Sequence, residues 1–169
     1  TVRGFMEGYF GLPETLGVER AAGRALAAMN RWIHVQGRND PFLENMSTTF
    51  SALILRGRQA YVVHVGDTRI YRLRGQQLMC LTTDHTLSSP DLSHVLFRAV
   101  GLEEGLRIDY AVHSLEPHDR FLLCSDGVHG TLADRRIQPL LVQHGAPEEC
   151  AQAIAQAALE AGSQDNTTA

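Results

Sequence analysis

The sequence predicts an α+β fold, in which antiparallel strands form a sheet assembly and helices pack outside it. Three observations indicate this class. Two segments with apolar residues at helical spacing open the chain, β-branched segments joined by short turns fill its middle, and helical segments return after residue 130. With 169 residues, 44% of them hydrophobic and 20% charged, residues 1–169 are expected to form a single domain.

Two helices are predicted before the strands. The first is an apolar pattern between Val2 and Phe10, which the Gly11-Leu12-Pro13 segment ends. The second runs from Val18 to Gln36, and residues 37–41 are expected to form a loop. Its apolar face is expected to pack in the core and comprises Val18, Ala22, Ala25, Leu26, Met29, Trp32 and Ile33.

The central strands are separated by short turns. The first, Thr48 to Leu55, is nearly all apolar or β-branched, which is typical of a strand buried on both faces. Further strands are predicted at residues 60–65, 70–73, 77–81, 107–115 and 120–124. Turns at Gly57 and Gly75 join the first four strands as two hairpins, and residues 116–119 are expected to join the last two as a further pair.

Helices return in the last third of the chain. Thr131 or Asp134 could cap a helix that Pro139 should confine to its first turns or kink. Pro147 suits the first turn of the last helix, and Gly162 suits its end. The apolar face of that helix comprises Cys150, Ala151, Ile154, Ala157 and Ala158.

Charge and cysteine content exclude several function classes. The net charge of -4, with scattered arginines, gives no electrostatic case for nucleic acid. Cys80, Cys124 and Cys150 lack metal-ligand spacing, so we expect reduced, mostly buried thiols in a cytoplasmic protein. Cys124, inside an apolar strand, is interpreted as an inert thiol and not as a nucleophile. No apolar run in this chain approaches the ~20 residues that span a bilayer, and its first residues show no basic region leading into an apolar signal segment, so we do not expect secretion.

Two carboxylate motifs carry the strongest functional signal. Asp126, followed by Gly127, ends an apolar strand, and Asp165 lies in a small polar loop after the last helix. The strand end fixes a carboxylate, and the glycine lets a hydrated ion approach closely. Together they predict a hard-cation site of oxygen ligands and water. Taken singly, each of these aspartates, like Asp67 and Asp84, is better explained as a turn residue that caps its own backbone, and only their combination indicates a metal site.

Five short segments form a further pattern: residues 47–49, 65–69, 81–85, 122–127 and 162–168, with residues 98–101 as a weaker sixth. Their content and order resemble those of metal-dependent protein serine/threonine phosphatases of the protein phosphatase 2C (PPM) type, and most of all the bacterial members. The resemblance implies an antiparallel β-sandwich flanked by helices in α-β-β-α layers, incomplete here at the N- and C-terminal strands.

The resemblance also implies a reaction. Family members hydrolyse phosphoserine and phosphothreonine in phosphoproteins, with two magnesium or manganese ions bridging the water that attacks phosphorus. Asp126 and Asp165 would hold this binuclear centre, and Asp67 with Asp126 would hold a weaker third ion. Asn166 would brace the Asp165 loop. The implied partners are a phosphoprotein substrate and a fused or cognate serine/threonine kinase.

Two family segments have no counterpart before Ser47: one carries an arginine for phosphate, and the other ends a strand in the Asp-Gly whose aspartate bridges both metals. The family also has a last strand beyond the position of Ala169. We therefore expect a chain truncated at both ends that is weakly active or inactive alone. A non-catalytic phosphatase-like module that senses or binds a partner stays open. Residues 88–95 are shorter than the helical flap of many relatives, which predicts a more open site.

The histidines add weaker candidates. His85, a weak catalytic candidate, and His94 fall near the expected edge of the site, and His129 follows the Asp126 loop. Each could donate a proton to a leaving alkoxide. For each, the alternative is a surface or hydrogen-bonded structural histidine. His64 alternates with apolar residues and is expected in the core, and the absence of a Cys/His cluster makes zinc improbable.

Overall fold

A computed structural model describes residues 1–87, 95–143 and 145–169. The described chain combines helices with two small antiparallel sheets of three strands each, which confirms the predicted α+β class. It divides into two compact units. The first unit comprises residues 1–66 and 85–113, and the second comprises residues 67–84 and 114–169.

Two helices, α1 (Val2–Phe10) and α2 (Val18–Asn39), lie in the first unit. Helix α2 runs three residues beyond its predicted end, so residues 37–39 of the expected loop are helical, and it stops where Asp40 becomes extended before Pro41. A residue before proline is disfavoured in the α region, which explains this boundary. The prediction that Trp32 packs in the core is wrong, since its side chain is 60% exposed while neighbouring Ile33 is buried.

The sheet of the first unit has the order β1-β2-β5, with strands β1 (Phe50–Arg56), β2 (Gln59–Val65) and β5 (Asp109–Ser114). The strand predicted to be buried on both faces, β1, lies at the edge of this sheet as far as the described residues go, and only Phe50 in it is buried. The central strand β2 is the buried one, because it has a neighbour on either side. His64 in β2 is 1% exposed, as predicted.

The sheet of the second unit has the order β4-β3-β6, with strands β3 (Arg69–Arg74), β4 (Gln77–Cys80) and β6 (Arg120–Cys124). The prediction that β5 and β6 pair with each other is wrong. Strand β6 pairs with β3, with Leu122 opposite Tyr71, and β5 joins the other hairpin. Each hairpin thereby gains a third strand, and a three-stranded sheet is more stable than an isolated two-stranded ribbon.

Three helices complete the second unit: α3 (Asp126–His129), α4 (Asp134–Gln143) and α5 (Pro147–Glu160). Helix α4 contains Pro139 and continues four residues beyond it, so the predicted confinement to the first turns is wrong. Proline removes one backbone hydrogen bond there, but buried Ile137 and Leu141 anchor the helix on both sides of it. Helix α5 starts at Pro147 and buries Cys150, Ile154 and Ala158, as predicted.

No helix among the described residues is both long enough and apolar enough to span a membrane. The predicted short flap, apart from Val95, lies outside the described residues, as does His94.

Candidate metal centre

The three aspartates predicted as metal ligands all belong to the second unit. Asp67 follows Gly66 and precedes strand β3, Asp126 opens helix α3 directly after β6, and Asp165 lies in the loop after α5. The fold therefore places Asp67 and Asp126 next to the ends of strands, whereas Asp165 lies in an irregular segment after α5.

Asp67 and Asp126 are electrostatically coupled. Burial, and next the nearby carboxylate of Asp126, raise the pKa of Asp67 above its usual range. His129, one turn along α3 from Asp126, donates from Nε2 to the carbonyl oxygen of Asp67 over 2.8 Å. Asp126 begins α3, and His129 at the other end of α3 binds the backbone of Asp67, so the two carboxylates lie near each other. A bound cation would reduce the repulsion between them.

Ser125 connects the Asp126 segment with the Asp165 loop. Its hydroxyl donates to the carbonyl oxygen of Asn166 over 2.8 Å and accepts from the backbone N–H of Thr168 over 3.1 Å. Its own backbone N–H donates to the carbonyl oxygen of Thr168. The sequence interpretation assigned the bracing of this loop to Asn166. In the structure, the backbone of Asn166 makes this contact and Ser125 supplies the side chain.

Gly127 permits the close approach of the same loop. A Cβ atom at this position would lie 2.5 Å from the carbonyl oxygen of Asn166, so any larger residue would push the loop away. On its other side, the Ser163 hydroxyl donates to the Gly127 carbonyl oxygen over 2.7 Å. A glycine after Asp126 therefore serves the approach of the Asp165 loop, in addition to the access for an ion that the sequence suggested.

Asp126 and Asp165 are oriented in the same local way. Oδ1 of Asp126 accepts the N–H of Gly127 over 2.9 Å, and Oδ1 of Asp165 accepts the N–H of Asn166 over 2.6 Å. Within the described residues, the second oxygen of each carboxylate makes no hydrogen bond that competes with a ligand. Each side chain is therefore fixed by its own backbone and keeps an oxygen for a cation.

These donors fit a hard divalent cation in kind but not in number. Carboxylate oxygens suit magnesium or manganese. Across residues 1–87, 95–143 and 145–169, however, no three or more His, Cys, Asp or Glu side chains are grouped so as to hold a metal ion. Asp67, Asp126 and Asp165 therefore do not complete a centre by themselves, and their role as ligands stays a prediction.

Asp84, the fourth aspartate of the motifs, has a structural partner. Arg69 donates two hydrogen bonds to its carboxylate, from Nε to Oδ1 at 3.0 Å and from Nη2 to Oδ2 at 2.7 Å. Arg69 also donates to the hydroxyl of Tyr71, which donates to Asp134. These contacts were not predicted from the sequence, although Arg69, two residues after Asp67, was a signal for them.

His85 lies in the first unit and is 3% exposed. Its Nδ1 accepts the backbone N–H of Gly66 over 2.9 Å, and its Nε2 lies 2.9 Å from Oδ2 of Asp109. Burial raises the pKa of Asp109, but the hydrogen bonds from His85 and Arg98 outweigh it, so this pKa is lowered. With both ring nitrogens engaged, the geometry favours the structural alternative over a proton donor for His85.

Cys124 has the properties of an inert thiol. Its side chain is 4% exposed, and burial raises its pKa to about 12. At neutral pH the thiol is therefore protonated and a poor nucleophile, in agreement with the sequence interpretation.

Known proteins resemble this chain along most of its length. Residues 5–161 match the family model described as Protein phosphatase 2C. The serine/threonine phosphatase stp of Listeria welshimeri is 28% identical, and the alignment covers 89% of this chain and 66% of that protein. The serine/threonine protein phosphatase PstP of Mycobacterium tuberculosis is 31% identical over 85% of this chain and 30% of its own length. The chain thus spans less than two thirds of either relative.

Solved structures share the fold. PppA, described as a key regulatory component of T6SS in Pseudomonas aeruginosa, superposes with a TM-score of 0.87 at 29% identity, covering 97% of this chain and 74% of that one. The catalytic domain of the serine/threonine protein phosphatase PstP, solved in complex with 2 manganese ions, gives a TM-score of 0.77 at 32% identity, over 85% of this chain and 66% of that one.

Proposed function

Since this chain belongs to the protein phosphatase 2C family, we propose that it takes part in the metal-dependent hydrolysis of phosphoserine and phosphothreonine in proteins. The observation that carries the proposal is the pair of coupled carboxylates, Asp67 and Asp126, beside a loop that brings Asp165 onto the same segment. Relatives named serine/threonine phosphatases, and the manganese-bound structure of one of them, support it.

The residues of this chain would share the work as follows. Asp126 and Asp165 would hold two magnesium or manganese ions, and Asp67 with Asp126 a third. Such ions, when bound, neutralise phosphoryl oxygens and lower the pKa of water. His129 would hold the backbone of Asp67, and Ser125 that of the Asp165 loop, so that the carboxylates keep their positions during turnover.

We expect this 169-residue chain to be only weakly active by itself. No segment before Ser47 supplies an Asp-Gly strand end or an arginine for the substrate phosphate. A divalent ion held by fewer carboxylates binds more weakly, and two ions without a shared ligand repel each other. A phosphoprotein is the proposed substrate, and a serine/threonine kinase, fused or separate, is the class of enzyme that would supply it.

A second candidate is a phosphatase-like module that binds a partner without catalysis. The observation that favours it is that, within the part of the chain that the structure describes, no ready-made group of three metal ligands is present. A protein freed from catalysis would not need the Asp67, Asp126 and Asp165 motifs, which all persist here.

The two candidates differ in metal-dependent turnover. We would assay hydrolysis of p-nitrophenyl phosphate and of a phosphothreonine peptide with and without Mn²⁺, for the chain, Asp126→Asn and the control Asp119→Asn. We expect slow hydrolysis that requires Mn²⁺, is lost in Asp126→Asn and persists in Asp119→Asn. Metal-independent binding of the phosphopeptide, without hydrolysis above background, would contradict the phosphatase proposal and favour the binding module.

A further inference from the structure

We propose that His85 is a positioning residue, whose ring and backbone hold the turn that precedes Asp67, and that it does not act as a general acid. The proposal rests on the proposed function, because that function gives Asp67 its role as a ligand. It assigns a task to a buried histidine of the 81–85 motif that the metal site does not use directly.

His85 holds both polar groups of the Gly66 backbone. Its ring Nδ1 accepts the Gly66 N–H over 2.9 Å, and its own backbone N–H donates to the Gly66 carbonyl oxygen over 2.8 Å. That carbonyl belongs to the peptide group that links Gly66 to Asp67. Because the Gly66 carbonyl oxygen and the Gly66 N–H are both hydrogen-bonded to His85, the backbone that leads into Asp67 has little rotational freedom.

The turn needs such external support because Gly66 has no side chain to stabilise it. Gly66 has a φ of +115°, and a Cβ atom there would lie 2.4 Å from the side chain of Thr49. Only glycine fits this position, yet glycine is also the residue that loses most conformational freedom on folding. Hydrogen bonds from a rigid neighbour are therefore the means by which this turn is held in one conformation.

The hydrogen bonds define the tautomer of His85. Because Nδ1 accepts from Gly66, the ring proton resides on Nε2, which donates to Oδ2 of Asp109 over 2.9 Å. The guanidinium of Arg98 lies 2.7 Å from the other oxygen of Asp109 and 3.0 Å from His85 Nε2.

Aromatic neighbours fix the plane of the ring. The His85 ring centroid lies 4.9 Å from that of His64 and 5.8 Å from that of Phe97. Packing and two directed hydrogen bonds together lock the side chain, which is the condition for a residue that positions another.

Two isosteric substitutions separate the functions of the two ring nitrogens. His85→Asn places an amide oxygen near the position of Nδ1, where it can accept from the Gly66 N–H, but it loses the hydrogen bond to Asp109. In His85→Gln, the side-chain amide reaches the position of Nε2, where it can bind Asp109, but the hydrogen bond from the Gly66 N–H is lost. We would measure amide hydrogen exchange of Gly66 by NMR and Mn²⁺ affinity by calorimetry on the 169-residue chain.

We expect the Gly66 amide to exchange about tenfold faster in His85→Gln, since one hydrogen bond is lost, and Mn²⁺ to bind on the order of tenfold more weakly, as after loss of a residue that supports a ligand. His85→Asn should lie nearer to the wild type in both measurements. His34→Gln is the matched control, because His34 is a partly buried histidine of the same unit whose Nδ1 contacts the Gly101 carbonyl oxygen instead; it should change neither value.

Equal effects of the Asn and Gln variants, or a larger effect of Asn, would overturn the proposal, because the contact with Asp109 would then be the one that matters. A wild-type chain that binds no Mn²⁺ would contradict the proposed function instead. In that case the order of Gly66 exchange rates still decides about His85: faster exchange in Gln than in Asn supports its hold on the turn, and the reverse order refutes it.

Discussion

The second unit contains two groups of acidic residues in opposite electrostatic surroundings. In the arginine cluster, Arg74 donates to both oxygens of Asp119 over 2.8 Å and also pairs with Glu116. In the aspartate group of Asp67, Asp126 and Asp165, none of the three carboxylates forms an ion pair with any residue that the structure describes.

The pKa values reflect this contrast. The hydrogen bond from Arg74 lowers the pKa of Asp119, whereas burial and the Asp126 carboxylate raise the pKa of Asp67. Compensated carboxylates contribute to stability. Like charges held together without compensation cost stability, and such an arrangement is typical of a functional site. In this unit, therefore, the partners of an aspartate, and not its residue type, distinguish structural aspartates from candidate ligands.

The largest expected effect concerns metal affinity. Asp126→Asn removes a charge and an oxygen ligand, so we expect Mn²⁺ to bind on the order of 100-fold more weakly. Asp119→Asn, in the arginine cluster, should leave the affinity nearly unchanged because it is already neutralised by Arg74. Calorimetric titration of both variants would measure this difference. Similar Mn²⁺ affinities for the two variants would mean that Asp126 contributes no more to metal binding than Asp119 does.

A second substitution tests whether the Asp165 loop must approach Asp126. Gly127→Ala places a methyl group 2.5 Å from the Asn166 carbonyl oxygen, which should displace the loop and weaken Mn²⁺ binding about tenfold. Overpacking should also destabilise the fold by about 1–3 kcal/mol. Gly145→Ala is the control, since a methyl group there would meet nothing within 4 Å. Unchanged Mn²⁺ affinity in Gly127→Ala would mean that Asp165 does not bind the metal together with Asp126.

The smallest effect is a pH dependence of stability that sharpens the description of the arginine cluster. Because the folded-state pKa of Asp119 lies below 3.8, its interaction with Arg74 stabilises the fold above that pH and is lost as the pH falls through the folded pKa. Asp119→Asn should therefore lower the free energy of unfolding at neutral pH, by an amount that shrinks below about pH 4.

Urea unfolding of the wild type and Asp119→Asn between pH 7 and 3 would measure this difference. Glu44→Gln, which changes an exposed carboxylate outside the helices and strands, serves as the control and should show little difference at any pH. A stability difference for Asp119→Asn that is independent of pH would mean that its charge does not matter.

Much of this protein could be predicted from local sequence. Apolar periodicity gave helix α5 and its buried face, and glycines located the hairpin turns. The motifs around Asp67, Asp126 and Asp165 indicated both the family and the carboxylates at element ends. These features depend on residues within a few positions of each other, and such short-range patterns set helix period, turn chemistry and the ends of strands.

Tertiary structure decided the rest. The strand partner of β6 depends on residues that lie far apart in the chain, and so do the ion pairs of Arg69 with Asp84 and of Arg74 with Asp119. The exposure of Trp32 depends on which residues cover that face of α2. The same is true of His85, whose ring is positioned by hydrogen bonds with Gly66 and Asp109, 19 and 24 residues away in the chain. A sequence motif determines which charged side chains are available. Burial and long-range hydrogen bonds determine which of these side chains are neutralised by a partner and which remain free to bind a ligand.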